Sequence, residues 1–168
     1  GTRLPELPRF GMRMELQQSY ENLTYYGRGP LENYIDRYSS SFIGRYEDKV
    51  ENQFYWYIRP QETGNKTDVR WLALLNSEGE GVKITGLQPI AFSALHFSPE
   101  DLDPGLTRKL QHTIDIVPQK NIFLHVDLKQ RGLGGDNSWG MYPHNKYRLL
   151  DKKYVYSYMI ELAEKGSD

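Results

Sequence analysis

An apolar residue occupies every second position of the stretch FGMRMELQ at residues 10–17. Side chains of a β-strand point alternately to its two faces, so this stretch predicts a strand with one buried face. Residues 69–75 are apolar at nearly every position, which predicts a central strand that is buried on both faces. Further strands are predicted at residues 54–59, 90–97, 113–117, 122–128 and 154–162.

Helical signals are confined to residues 98–102, where Ser98 is suited to the N-cap and Pro99 to the first helical position. An Asp-Pro-Gly sequence follows directly, so at most a turn or two of helix is expected. Many short strands without a sustained helix predict an all-β sandwich or barrel. We expect one domain over residues 7–162, with loose ends at residues 1–6 and 163–168.

Composition excludes several classes of protein. The chain has 21 basic and 22 acidic residues and a formal net charge of −1, so it lacks the basic surface typical of nucleic-acid binding. It contains no apolar run of about 20 residues, the length of a membrane span. The absence of cysteine excludes disulfides and thiolate metal sites. Tyrosine is abundant, with 13 residues, which suits half-buried strands and also sugar binding.

Two polar stretches combine turn residues with charged side chains. In residues 26–37, glycines and a proline precede Glu32, Asp36 and Arg37, which either bind hydroxyl groups, stabilise a neighbouring loop or form an ion-paired turn. In residues 57–64 and 68–71, arginines and carboxylates lie between two predicted strands. They supply either ligand contacts or a structural polar network.

A third stretch, residues 127–140, is rich in glycine and contains Asp136, Asn137 and Trp139. Glycines permit backbone conformations that disfavour regular structure, so a loop is predicted. Trp139 either offers an aromatic face to a sugar ring, with Asp136 and Asn137 binding its hydroxyls, or closes the open end of a sandwich. No spacing pairs two carboxylates as a glycosidase requires, and no metal-ligand pattern emerges from the four scattered histidines, so no catalytic residue is predicted.

Taken together and in order, residues 27–37, residues 59–64 with Arg70 and Trp71, and residues 132–139 resemble the C-terminal domain of bacterial family 2 β-galactosidases. The resemblance runs from about residue 7 to residue 162. It implies an antiparallel β-supersandwich of the galactose mutarotase-like type, here in a partial version. It also implies that Trp139 stacks against a galactoside substrate at the rim of the active site, with weaker roles for Asp136 and Asn137.

The resemblance further implies that the catalytic glutamates and the Mg²⁺ and Na⁺ sites lie on a separate barrel domain, so this chain alone is expected to be inactive and to hold no cofactor. Its expected partners are the other domains of the same enzyme, with neither nucleic acid nor membrane. A partial sheet exposes edges, so homo-oligomers are also expected. The alternatives are an aldose mutarotase or epimerase, although no histidine pair with a glutamate can be placed for it, and a stand-alone carbohydrate-binding module.

Overall fold

Seven antiparallel strands form the framework of the computed structural model, which describes residues 6–103, 112–135, 137 and 140–164. The strands are β1 (Arg9–Leu16), β2 (Asn22–Gly29), β3 (Phe42–Lys49), β4 (Lys66–Leu75), β5 (Gly81–Leu95), β6 (Ile122–Gln130) and β7 (Tyr158–Ala163). The one α-helix among the described residues is α1 (Pro99–Leu102), and short 3₁₀ turns lie at Val50–Gln53, Thr113–Asp115 and Asn145–Tyr147. The predicted all-β class and the short capped helix are confirmed.

The strands belong to one sheet in the order β1-β6-β5-β4-β2-β3. The 15-residue strand β5 pairs along one edge with β4, whereas its other edge pairs with β7 in its first half and with β6 in its second half. The described residues thus contain a single sheet, which is consistent with a partial version of the predicted sandwich. None of the described helices is long and apolar enough to cross a membrane.

Cross-strand pairs of apolar residues form the core on one face of this sheet. Tyr25 of β2 lies opposite Leu72 of β4, and Phe92 of β5 lies opposite Val126 of β6. Met12, on the buried face predicted for β1, pairs with Val126 and packs against the same core. The predicted central position of β4 is also confirmed, because β2 and β5 flank it.

Two predicted strands are wrong. Residues 54–59 form no strand; instead the Phe54 ring packs against Trp56 and Phe97 at centroid distances of 4.9 and 4.4 Å. The alternation there reflects local ring packing, with Ile58 left 85% exposed. Residues 113–115 form a 3₁₀ turn because the Asp115 carboxylate accepts a hydrogen bond from the His112 amide at 2.8 Å and so competes with strand pairing.

Two strands were not predicted, and one is shorter than expected. β2 and β3 are polar and contain glycines, so their sequences carry no clear alternation. In β2, Gly27 is required by close approach to β4, because a Cβ there would lie 2.6 Å from a Val69 methyl group. β7 begins only at Tyr158. The proposed boundary at residues 7–162 stays a prediction, although Glu6 already forms an ion pair with Arg148 at 2.6 Å.

Candidate functional site

Two of the three predicted ligand-binding residues, Asp136 and Trp139, lie outside the described residues. Asn137 is described and exposed. The structure therefore bears on how the glycine-rich loop (residues 132–140) is anchored, and the predicted roles of these three side chains stay predictions.

Asp36 holds the start of the glycine-rich loop. Its carboxylate accepts hydrogen bonds from the backbone amides of Gly134 at 2.7 Å and of Leu133 at 3.3 Å. A Cβ on Gly132 would lie 2.6 Å from this carboxylate, and a Cβ on Gly134 2.9 Å from it, so both positions require glycine for close approach. Of the three interpretations of residues 26–37, stabilisation of a neighbouring loop is confirmed for Asp36.

The chain on either side of the loop is also fixed. The Gly132 amide donates to the carbonyl of Tyr147 at 2.8 Å, and the Arg131 amide donates to that of Pro8 at the same distance. The Tyr142 ring faces two cations, since the guanidinium carbons of Arg148 and Arg131 lie 4.4 and 5.6 Å from its centroid. The start of the loop is therefore joined to Pro8 and Tyr147, and Tyr142, which follows the loop, packs against Arg131 and Arg148.

Glu32 points to a different loop and joins the first two polar stretches. Its carboxylate accepts hydrogen bonds from Arg37 at 2.6 Å, from the Gly64 amide at 2.7 Å, from the Thr63 hydroxyl at 3.0 Å and from the Tyr57 hydroxyl. Burial, followed by the hydrogen bond to Glu32, raises the pKa of Tyr57. Glu32 is thus fully engaged within the protein, and the structural interpretation of residues 57–64 is confirmed for this contact.

A charged cluster lies on β1 and β6, directly before the glycine-rich loop. Arg9 contacts Asp127 at 3.0 Å, His125 at 3.0 Å, Gln130 at 2.9 Å and Glu62 at 3.4 Å. Burial raises the pKa of Asp127 to about 6 and lowers that of His125 to about 4, the latter with help from the charge of Arg9. His125 lies within the predicted strand at residues 122–128, but sequence reasoning missed the cluster.

The chemistry available at these groups is limited. Asp127 is 1% exposed, and Glu32 and Asp36 are bound by the contacts above, so none of the three is free to attack or protonate a sugar. Among the described residues, no three histidine, aspartate or glutamate side chains are close enough to hold a metal ion. Through the contacts of Asp36, the described part of the chain positions the start of the glycine-rich loop.

Fold and site define the chain as an all-β domain that holds the start of a glycine-rich loop through Asp36. Its sequence matches the family described as "Beta galactosidase small chain" over residues 2–160, and the chain belongs to this family. It is 36% identical over 159 residues to a β-galactosidase of Priestia megaterium, covering 94% of this chain and 15% of the relative.

Other relatives show the same relationship. A β-galactosidase of Streptococcus thermophilus is 34% identical over 160 residues, which cover 94% of this chain and 15% of the relative. One from Vibrio cholerae is 31% identical over 159 residues, which cover 95% of this chain and 14% of the relative. The chain thus spans about 15% of the length of the curated relatives that it matches. The family resemblance drawn from the three polar stretches is confirmed.

Proposed function

We propose that this chain is a non-catalytic domain of a bacterial β-galactosidase of family 2, and that its glycine-rich loop forms part of the wall of the galactoside site. The observation that carries the proposal is the family match over residues 2–160, combined with coverage of only about 15% of relatives named β-galactosidase. In this proposal Trp139 stacks against the sugar ring, and Asp136 and Asn137 lie beside its hydroxyl groups.

The described carboxylates support the non-catalytic role. Retaining hydrolysis of a β-galactoside requires two carboxyl groups about 5–5.5 Å apart, one as nucleophile and one as acid and base. Glu32, Asp36 and Asp127 are each held by arginine or backbone partners. The hydrolytic step is therefore assigned to the remainder of the enzyme, which is also the proposed partner of this domain.

The metal ions expected from the family resemblance are likewise assigned to the remainder of the enzyme. Mg²⁺ requires several oxygen ligands in near-octahedral geometry. The described residues provide no cluster of three suitable side chains. They do not fit a metal ion, and no step of the proposed mechanism passes through one here.

This domain would act by positioning. The hydrogen bonds of Asp36 and the backbone contacts of Gly132 and Arg131 fix the start of the loop before substrate arrives. A preorganised contact to the non-reacting part of a substrate lowers the cost of reaching the reactive geometry. Loss of that contact is expected to weaken substrate binding more than the chemical step itself.

Kinetics of the complete enzyme that contains this chain test the proposal. Trp139→Ala is expected to lower kcat/KM for a nitrophenyl β-galactoside about tenfold, the equivalent of about 1.4 kcal/mol, mainly through KM. The matched control is Trp56→Ala, which removes a tryptophan that is 60% exposed and far away in the sequence, and it is expected to leave kcat/KM unchanged. Equal effects of the two substitutions would refute the role of Trp139, and turnover by this chain alone would refute the non-catalytic role.

A further inference from the structure

Large apolar side chains are exposed around the base of the glycine-rich loop. Leu133 lies at its start, Met141 and Tyr142 follow its end, and Leu7 lies in the N-terminal segment. Each of these four residues, here called the loop-base surface, is between 42% and 57% exposed. A single exposed apolar residue is ordinary, whereas a contiguous group of them marks an interaction site in soluble proteins.

Contacts among neighbouring residues bring these four positions together. The Arg131 amide donates to the Pro8 carbonyl at 2.8 Å, which joins the N-terminal segment to the start of the loop. The Arg131 guanidinium in turn faces the Tyr142 ring. Gly135 lies against the other end, since a Cβ there would be 2.4 Å from the Met141 carbonyl oxygen. Each of the four residues is at, or within two positions of, one of these contacts, so they form one surface.

Two cations lie beside the loop-base surface without a carboxylate partner. The Arg131 guanidinium and the Lys146 ammonium, which lies 4.7 Å from the centroid of the Tyr147 ring, contact no carboxylate within the described ranges. Arg148 differs, because it forms an ion pair with Glu6 at 2.6 Å. A partner surface that carries carboxylates beside an apolar area would complement these cations. Tyrosine, methionine and arginine are also the residue types enriched at protein interfaces.

The proposed function brings other parts of the enzyme to this position. Hydrolysis requires two carboxyl groups, whereas Asp36 and Asp127 next to the loop are held by backbone or arginine partners. The reacting carboxyl groups therefore belong to the remainder of the enzyme, and they lie within the length of one sugar ring of the loop. Protein that carries them has to pack around the loop base. The chain covers only 15% of the Priestia megaterium relative, so most of such an enzyme lies outside it.

We propose that the loop-base surface is the docking surface for the remainder of the same enzyme. The partner surface is apolar where it meets Leu133, Met141 and Tyr142, and it places a carboxylate beside Arg131. This inference rests on the proposed function, because it takes the loop to be part of the galactoside site. It adds the surface through which the two parts meet and the chemistry of the partner surface. Docking there places the loop against the catalytic groups.

Hydrogen exchange of this chain alone and of the complete enzyme tests the docking surface. Peptides that contain Met141 and Tyr142 are expected to exchange at least about tenfold more slowly in the complete enzyme, because the partner excludes water. Met141→Glu in the complete enzyme is expected to remove most of this protection, since it places a charge in an apolar contact. The matched control is Ile43→Glu on β3, where the apolar side chain is similarly exposed, and it should leave the protection unchanged.

The proposed carboxylate is tested in the complete enzyme alone, so this result does not depend on how the isolated chain behaves. Raising NaCl from about 0.05 M to about 0.5 M should accelerate exchange of the same peptides severalfold, because salt screens the pairing with Arg131. Arg131→Gln is expected to reduce this salt dependence. Substitution of the exposed Lys152 by glutamine should leave it intact. Exchange that is independent of salt would refute the carboxylate beside Arg131.

Trp139→Ala separates the docking surface from the proposed function. It is expected to lower kcat/KM and to leave the protection of the Met141 and Tyr142 peptides unchanged, because Trp139 is not part of the loop-base surface. Protection without any effect of Trp139→Ala on kcat/KM would support the docking surface and refute the proposed role of Trp139. Equal exchange of these peptides in the chain alone and in the complete enzyme would overturn the docking surface, as would protection that survives Met141→Glu.

Discussion

Asp36 and the two glycines opposite it show how single residues determine the position of the glycine-rich loop. One carboxylate binds two successive amides of a segment that is 98 residues away in sequence. Because the side chain has to reach the backbone, Gly132 and Gly134 cannot carry a Cβ without displacing it. The loop thus starts from a fixed point although it is rich in glycine.

Removing this carboxylate is expected to free the loop without unfolding the domain. In Asp36→Ala, hydrogen exchange at the amides of Leu133 and Gly134 should accelerate on the order of tenfold, since both lose their acceptor. Asp36→Asn keeps one acceptor oxygen and should give an intermediate rate. The exposed Asp151 provides the control, and its substitution by alanine should leave the exchange rates of both amides unchanged. Unaltered exchange in Asp36→Ala would contradict the assigned contact.

Gly11 is a second position at which a glycine is required by a neighbour. A Cβ there would overlap the Asp127 carboxylate and lie 2.6 Å from the backbone of β6. Gly11→Ala is therefore expected to lower the free energy of unfolding by about 3 kcal/mol, as measured by urea denaturation. Gly44→Ala is the matched control, because its Cβ would approach only the Tyr46 ring, at 3.3 Å. Gly44→Ala should lower the free energy of unfolding by less than about 1 kcal/mol.

At the scale of elements, the sequence predicted those strands whose apolar residues either alternate or follow one another. β1 alternates, whereas β4, β6 and the second half of β5 are buried at most positions. Residues 54–59 alternate as well, yet they have no neighbouring strand, and their rings pack locally. β2 and β3 were missed because their strand conformation depends on pairing with β4 and with each other, information that a polar sequence with glycines does not carry.

The candidate site, like the fold, was predicted only in part. The three polar stretches were recognised from their turn residues and charges, but the contacts between them were not predicted. Glu32 binds Gly64 and Asp36 binds Gly134, although the two acidic residues are only four positions apart. Such contacts depend on the order of strands in the sheet, which local periodicity does not encode. Arg9 and Asp127 were missed for the same reason, since they meet only when β1 pairs with β6.

Pairing of β1 with β6 also makes stability depend on pH. The pKa of His125 is about 4 in the folded chain, below its ordinary value of 6.5, so below pH 6.5 the unfolded chain binds a proton that the folded chain excludes. Because of His125, the free energy of unfolding therefore decreases by on the order of 3 kcal/mol in total as the pH falls from 6.5 to about 4. Asp127 acts in the opposite direction, because its raised pKa of about 6 favours folding on acidification.

Comparison of variants isolates the contribution of the histidine, since Asp127 is present in each. His125→Gln should lose less stability than the unsubstituted chain between pH 7 and pH 4, by on the order of 3 kcal/mol in urea unfolding. Substitution of the exposed His112 by glutamine should leave the pH profile unchanged. Parallel profiles for His125→Gln and the unsubstituted chain would show that burial of His125 does not shift its protonation.

At the scale of the whole molecule, the sheet presents apolar side chains along an open edge. Among the described residues β7 pairs only with β5, and its Leu162 is 79% exposed while Ile160 is 47% exposed. Unpaired edges with apolar side chains favour association through further strand pairing. In the complete enzyme this surface is available to the remaining domains, whereas in the isolated chain it is available to a second copy.

Light scattering of the isolated chain tests this expectation. The apparent mass should rise with concentration, and Leu162→Lys should reduce the rise, because a charge on an edge strand opposes pairing. Val155→Lys replaces a residue that is similarly exposed, at 69%, but lies outside the strands, and it should have little effect. A monomeric mass at every concentration would argue against association through β7.

The opposite directions of Glu32 and Asp36 couple two distant loops. A segment of five residues holds two loops that are 32 and 98 positions away from its acidic side chains. A change in the backbone path of this segment would therefore displace both loops together.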